Sequence, residues 1–504
     1  MTIAENMNDW RLLRRFRKLL NEIGPIAIGL GVIVWMVLVF RVLGAPDADY
    51  GNFISVAERL IAGDRLYADV YENKDPLLHY FFASSRIFSP LGFWFLSILY
   101  LLLGSLAVWL IGRASGLIAR TAFIAAFIAT PIVMTGASFF PGSSHIPAVA
   151  FVLLAFAAAI RGKWTFAGSL VAVVCALKLI LFPMALLVVL VAMVLTSKRP
   201  RNLFHSFVGF VATASILYFV VFIRGELEPY LNNLKMNLTY SQSATDAGQG
   251  LSAVRIHFDS VMNLNNQISF LAIAAILFWP IAVVGWRVVG IKSNQDVINF
   301  QLFAGATIAV FYSLAVIGIT GLWGHHALVF IVPACIGFVL FLKVSPIPIA
   351  RGYPATLPLI FVLSILLAGM PSASGYLDDL LFARAKISGL MEPGNQAKAI
   401  IETGPPTSYA RVGNGRDGGH GFGLSDWTLE CPKFAQEIWE SGEILSLTAE
   451  CLPLANVILI TKDVGFQESY PEWNAFVNSV DEIVSNGYAC ELEDVGRVCR
   501  RVGT

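Results

Sequence analysis

The sequence predicts a polytopic α-helical membrane protein of about eleven transmembrane helices, ending in a small C-terminal α/β domain outside the cytoplasm. Three observations carry that expectation. Of 504 residues, 56% are hydrophobic and 14% charged, whereas a soluble domain carries roughly 25% charged residues. Apolar runs of about 15–21 residues, long enough to cross or nearly cross a bilayer, recur between residues 23 and 371. From Ser372 onward the composition becomes that of a soluble domain, and Cys431, Cys451, Cys490 and Cys499 all fall there.

Residues 1–22 place Trp10, Leu13, Phe16 and Leu20 at helical spacing, with Arg11, Arg14, Arg15, Arg17 and Lys18 on the other faces. That pattern is a basic amphipathic helix on an anionic cytoplasmic surface. The run 23–43 is too long for a signal-peptide core, and Pro46 directly after Gly44-Ala45 suits cleavage poorly. It reads as the first span, an uncleaved anchor. Further spans are expected at 92–112, 119–135, 146–160, 164–178, 180–196, 203–223, 268–288, 298–320, 327–342 and 353–371. The pair 164–196 is divided only by the short turn that Lys178 and Pro183 mark.

Orientation follows from lysine and arginine in the short loops. With the N-terminus inside, the cytoplasmic segments carry Arg113 and Arg120, Arg161 and Lys163, Lys198, Arg199 and Arg201, Arg287 and Lys292, and Lys343 and Arg351. Every inside segment is then basic, which places the transmembrane domain at 23–371 and the domain 372–504 outside. A net charge of +1, with the basic residues spent on these loops, makes no case for a nucleic-acid partner.

The segment 44–91 is the long polar insertion of the first 130 residues. It carries Asp47, Asp49, Glu58, Arg59, Asp64, Arg65, Asp69, Glu72, Lys74, Asp75 and His79. Two juxtamembrane amphipathic helices are expected within it. One spans 50–62, with Phe53, Val56, Ala57, Leu60 and Ile61 on one face; the other spans 76–88, with Pro76 in its first turn. In the C-terminal domain, 409–412 and 456–460 read as strands, 432–441 and 472–485 as helices, and 488–490 with 498–500 as a hairpin. Four cysteines on an oxidising side suggest two disulfides in one of three connectivities, with the local pairs Cys431–Cys451 and Cys490–Cys499 favoured over free thiols. Cys175 and Cys335, inside apolar runs, read as small buried hydrophobes.

The loop also carries a motif. Asp47-Ala48-Asp49-Tyr50 follows the first span, then Ala62-Gly63-x-x-x-Tyr67, then Glu72-Asn73-Lys74-Asp75-Pro76-Leu77 before the second. This layout resembles the GT-C superfamily of membrane glycosyltransferases, nearest to the protein O-mannosyltransferase-like group that includes the lipid A aminoarabinose transferases. The resemblance covers most of 20–370 in layout and is specific over about 45–82. The chain departs where Tyr50 replaces the usual Glu and Asp75 the first of two prolines, and the first departure leaves open which acid is catalytic. The resemblance implies a GT-C-like fold in a bacterial inner (plasma) membrane. It also implies a sugar donor linked to a polyprenyl phosphate, an envelope glycan, lipid or protein as acceptor, transfer on the outer face, and no cofactor.

The residues can be matched to that chemistry. An acceptor hydroxyl must lose a proton as it attacks the anomeric carbon, which a positioned carboxylate accepts. Spacing to Gly63 favours Asp49 as this base, with Asp47 second. The departing lipid phosphate needs a cation; Lys74 is the first choice, with Arg65 and Lys178 as helpers. Tyr67, Glu72 and His79 in the loop, and His145, His325 and His326 in other outside segments, are candidate contacts to sugar or phosphate. Each has a blander reading. A carboxylate beside a span is usually a solvated charge, Lys74 could bind lipid headgroups, Lys178 could snorkel from a span end, and the histidines could be satisfied interfacial residues. His325 and His326 are adjacent, but no third ligand is visible in the sequence, so no metal is expected.

Two short matches carry little weight. Gly413-Asn-Gly-Arg-Asp-Gly418 fits a dinucleotide-binding pattern but no amphipathic helix follows it. Asn237-Leu-Thr239 is a formal glycosylation sequon in an outside loop, 224–267. Among rivals, a transporter or lipid-glycan flippase should place ionisable residues in several spans, and apart from Lys178 the spans nearly lack them. A membrane scaffold leaves the charged loop 44–91 without a purpose.

Overall fold

The computed structural model describes residues 17–43, 48–88, 92–136, 144–194, 196, 198–246, 294–320, 328–344, 395–413, 424, 426–431, 442–462, 464–467 and 470–503. Every apolar run falling on these residues is helical, and the expected spans 268–288 and 353–371 lie outside them. The chain enters through α1 (Arg17–Ile23) and turns by 86° into α2 (Pro25–Leu43) at Gly24. Arg120 fixes this corner, its Nε donating to the Ile23 carbonyl at 2.9 Å and so satisfying a carbonyl that the end of α1 leaves orphaned.

Beyond the loop helices α3 (Ala48–Ala62) and α4 (Pro76–Phe88) comes α5 (Gly92–Ala114). The next helix, α6, runs from Ala119–Phe123 through a π turn, Ile124–Ala129, into Thr130–Gly136. The carbonyls of this π turn take side-chain donors as well. Thr130 Oγ1 donates to Ala125 O at 2.8 Å, and Trp35 Nε1 of α2 donates to Phe127 O at 3.0 Å. α7 (His145–Ile160) and α8 (Trp164–Leu177) follow; Lys178 is extended, and after a single 3₁₀ turn, Leu179–Leu181, α9 (Phe182–Val194) continues. The marked turn is therefore a helix break.

α10 (Arg199–Ile223) crosses α8 at backbone contact. A Cβ on Gly168 would meet Ser206 O at 1.8 Å, and one on Gly209 would meet Thr165 O at 2.0 Å, so only glycine serves at either position. α11 (Leu227–Asp246), α12 (Asn294–Thr320) and α13 (Ile331–Val344) complete the described helices of this part.

Among the described residues, Gly92–Ala114, Arg199–Ile223 and Val297–Val316 are each long and apolar enough to cross a membrane, giving 3 such helices, or up to 4 if the pair bent at Gly24 is one span. The other apolar helices have 10–17 residues. At ~1.5 Å per residue the longest of these reaches about 25 Å, short of a ~30 Å hydrocarbon core. A count of about eleven spans is thus not reached by helix length alone.

The C-terminal part contains α14 (Asn395–Ile401), β1 (Ser408–Val412), β2 (Thr428–Leu429), α15 (Gly442–Cys451), β3 (Val457–Thr461), α16 (Pro471–Gly487), β4 (Tyr488–Glu493) and β5 (Gly496–Arg501). Its five-stranded sheet has the order β2-β1-β3-β5-β4, parallel across β2, β1 and β3 and antiparallel across β3, β5 and β4. Strand alternation sends Ala410, Val412, Ile458 and Ile460 to a face packed by Trp473, Phe476, Val477 and Val480 of α16. Tyr409, Val457 and Leu459 point the other way and join, with Trp427, the same apolar core as the membrane helices. Disulfides connect Cys431 to Cys451 and Cys490 to Cys499, while Cys175 and Cys335 are free. The expected helix 432–441 lies outside the described residues.

Candidate active site

Helix α3 ends at Gly63, whose φ of +107° reverses the chain. The turn that follows is tied to itself. Tyr67 takes a left-handed φ of 66°, with its N–H on Val70 O at 2.7 Å. Asp69 receives the Arg65 backbone N–H, Nε and Nη2, each at 2.9 Å. Arg65 is thereby engaged by both prongs of one carboxylate, half exposed at the rim. Tyr67 Oη reaches forward to Lys74 O at 2.7 Å. Burial raises the Tyr67 phenol well above its ordinary range, so it serves as a fixed hydroxyl donor.

The segment from Arg224 to Asn237 grips this loop at several points. Arg224 Nη2 donates to Asp64 O at 2.9 Å. Glu226, fully buried, accepts from Leu66 N at 2.9 Å, from Arg224 Nε at 2.8 Å and from the Tyr80 hydroxyl. Tyr230 lies 5.3 Å from Tyr67, ring to ring, and Asn237 Nδ2 donates to Asn73 O at 2.9 Å. The sequon asparagine therefore lies on a helix and is engaged with the loop. From α3, Arg59 Nε pairs with Asp64 Oδ2 at 2.6 Å, and its Nη1 donates to the Trp427 carbonyl. The C-terminal domain thus rests directly on the loop.

The centre of the arrangement is Asp75, 8% exposed. It stands just before α4, and Oδ2 accepts from Leu179 N at 2.8 Å, capping the resumed helix beyond Lys178. Oδ1 accepts from Tyr230 Oη at 3.0 Å. Burial raises its pKa above the ordinary carboxylate value, against the opposing pull of the Leu179 N–H, Lys178, Tyr230 and Lys74. Both lysines are therefore within electrostatic reach of one buried carboxylate. Lys178, itself 9% exposed, donates to Ser144 Oγ at 3.0 Å. Lys74 lies 3.6 Å from Glu72 and donates to Asn73 Oδ1 at 2.5 Å.

Of the residues singled out from sequence, Tyr67, Glu72, Lys74 and Lys178 thus gather around Asp75, while Arg65 stands on the rim. Asp49 occupies the first turn of α3. Asp47, His325 and His326 lie outside the described residues. His145, expected to close an outside loop, is instead the first residue of α7 and is buried, because the apolar run it precedes begins its helix there. Sequence reasoning missed Asp75, Glu226 and Tyr230. In the sequence Asp75 is one of many loop charges and stands where the related pattern has a proline, and the other two fall in a segment that reads as loop.

His79 is wholly buried, one helical turn beyond Asp75, with Phe53 edge-on at 5.8 Å. Burial, with a smaller contribution from the charge of Lys74, pushes its pKa from 6.5 down to about 3. Between these values the unfolded chain binds the proton and the folded one does not. Stability therefore falls as pH drops through this window, by up to about 1.4 kcal/mol per pH unit. His79→Leu is expected to flatten that acid limb in a thermal-unfolding series from pH 6.5 downward. An unchanged slope would assign the acid sensitivity to other groups.

Beside this cluster lies an apolar cleft of about 110 Å³, lined by Pro76, Leu77 and Tyr80 of α4, Ala176 of α8, and Leu217, Tyr218, Val220 and Val221 of α10. Pro76 adjoins Asp75 in the chain and Ala176 stands two residues before Lys178, so the cleft is built on the same two segments that carry the buried charges. Among the described residues, no three His, Cys, Asp or Glu side chains are placed to hold a metal ion.

No family model matches the chain, and no curated protein matches it. Among the solved structures that match the chain are two of one archaeal enzyme. One is the archaeal oligosaccharyltransferase AglB from Archaeoglobus fulgidus in complex with an inhibitory peptide and a dolichol-phosphate, at a TM-score of 0.44 and 14% identity, covering 95% of this chain and 74% of that one. The other is the Archaeoglobus fulgidus oligosaccharyltransferase tethered to an acceptor peptide, at a TM-score of 0.42 and 14% identity, covering 94% of this chain and 74% of that one.

Proposed function

We propose that the protein is a membrane glycosyltransferase that moves a sugar from a polyprenyl-phosphate donor to an acceptor hydroxyl at the outer surface of a bacterial inner membrane. The observation that supports this reading best is the apolar cleft beside a buried carboxylate that feels the charge of two lysines. A lipid phosphate is an apolar chain ending in an anion, and this pairing offers a partner to each half. Burial strengthens the attraction between a lysine and a phosphate well beyond its value in water.

In this reading Asp49 takes the proton of the acceptor hydroxyl, with Asp47 as its alternate. The oxygen bonds to the anomeric carbon, the bond from that carbon to the phosphate oxygen breaks, and polyprenyl phosphate departs. Lys74 and Lys178 take up the charge that grows on the phosphate, and Arg65 contributes from the rim. A single displacement inverts the anomeric centre. The acceptor is an envelope glycan, lipid or protein, which the outside domain 372–504 meets, and the sugar is a hexose or pentose.

The test is transfer by the purified full chain in lipid, with envelope extract and radiolabelled polyprenyl-phosphate sugars. Label moving from lipid to an envelope acceptor is the expected result. No transfer from any hexosyl or pentosyl donor, with lipid-linked glycan crossing the bilayer instead, would replace this reading with a flippase.

A further inference from the structure

On α11, Tyr230, Asn233 and Asn237 fall three and four residues apart and so share one face of the helix. Tyr230 binds Asp75 and Asn237 binds the Asn73 carbonyl, so that face lies along the Asn73–Asp75 stretch that carries Lys74. Asn233, between them, is 1% exposed. Neither its Nδ2 nor its Oδ1 meets a hydrogen-bond partner among the described residues. A buried carboxamide without partners is costly, and its neighbours on the stripe are both satisfied by the loop. The stretch this face lies along is not sealed from solvent, since the side chains of Lys74 and Glu72 keep 17% and 12% of their exposure.

We infer that Asn233 binds a hydroxyl of the donor sugar, an inference resting on the glycosyl-transfer reading above. A carboxamide offers both a donor and an acceptor. A sugar hydroxyl can answer both, whereas a fully ionised phosphate answers only the donor and would leave Oδ1 unmatched. With Lys74 beside the same stretch to take the phosphate, the amide falls to the sugar end of the headgroup.

The experiment compares wild type with Asn233→Leu, which keeps the branched outline and removes both polar ends. Thermal shift of the full chain is measured with polyprenyl phosphate alone and with its mannosyl, glucosyl and pentosyl derivatives, alongside the transfer assay. In wild type at least one sugar is expected to add stabilisation beyond polyprenyl phosphate. Asn233→Leu is expected to lose that increment, keep the response to polyprenyl phosphate, and raise KM for the donor about tenfold, the value of one hydrogen bond. Without ligand the variant melts no lower than wild type, because a buried unmatched amide has been removed. A retained sugar increment with unchanged KM, or no increment in wild type from any derivative, overturns the inference. A wild type that shows an Asn233-dependent increment yet transfers nothing upholds sugar binding and removes the transfer reading instead.

Discussion

Asp49→Asn in the full chain is expected to lower kcat for sugar transfer by about 10²–10⁴-fold, the range of a lost general base, while KM for the lipid-linked donor changes little. Asparagine keeps the shape and cannot accept the proton, so the loss falls on the chemical step alone. The helix Ala48–Ala62 is held from Phe53 onward. Phe53 packs against Phe82 at 5.2 Å, Glu58 meets Arg86 at 2.5 Å, and Arg59 joins both Asp64 and the Trp427 carbonyl. Holding the reactants in register supplies much of the rate in a displacement of this kind. Lys74→Ala is the companion measurement, with an expected loss of about 10²–10³-fold from the departing phosphate's missing cation. If Asp47→Asn is inactive and Asp49→Asn is not, the base is Asp47. Two active variants would remove both from the chemistry.

The scaffold of this site was legible in the sequence because its signals are local. Pro76 in a first turn and the Phe53, Val56, Ala57 and Leu60 stripe announce the two loop helices, found at Pro76–Phe88 and Ala48–Ala62. The helix break at Lys178 was visible as a charged residue between apolar runs, but not the reason for it, which is a carboxylate 104 residues earlier that caps Leu179. α11 was missed for a related cause. Its inward face carries Tyr230, Asn233 and Asn237, so the apolar period that signals a helix is replaced by a polar one suited to gripping a loop. Pro229 in the first turn, with Tyr230 and Leu234 four apart, was the signal available. Lys74 was found because it lies in a motif. Glu226 lies in none, and only the fold brings it to Leu66 and Tyr80.

That distant acid leads to the second large effect. Glu226→Ala is expected to destabilise the protein by about 3 kcal/mol, the lower end for breaking a buried ion pair, since the Arg224 side chain is 33% exposed and regains water. The buried Leu66 N–H does not, and losing the Glu226 carboxylate leaves the turn around Tyr67 unmoored at one end. Tyr67 in turn holds the Lys74 carbonyl, so displacement passes along the loop to the lysine. A shift of about 1 Å at a reacting group costs on the order of 10²-fold in rate; stability and kcat should therefore fall together, with little change in donor KM. Glu226→Gln retains an acceptor for Leu66 or Tyr80 and should lose about half as much stability. Chemical unfolding of both variants, with limited proteolysis between residues 64 and 75, separates a loosened loop from global unfolding. Equal stability and equal kcat in Glu226→Ala would mean that Arg224, Tyr230 and Asn237 hold the loop without it, leaving the acid with only local consequences for Arg224.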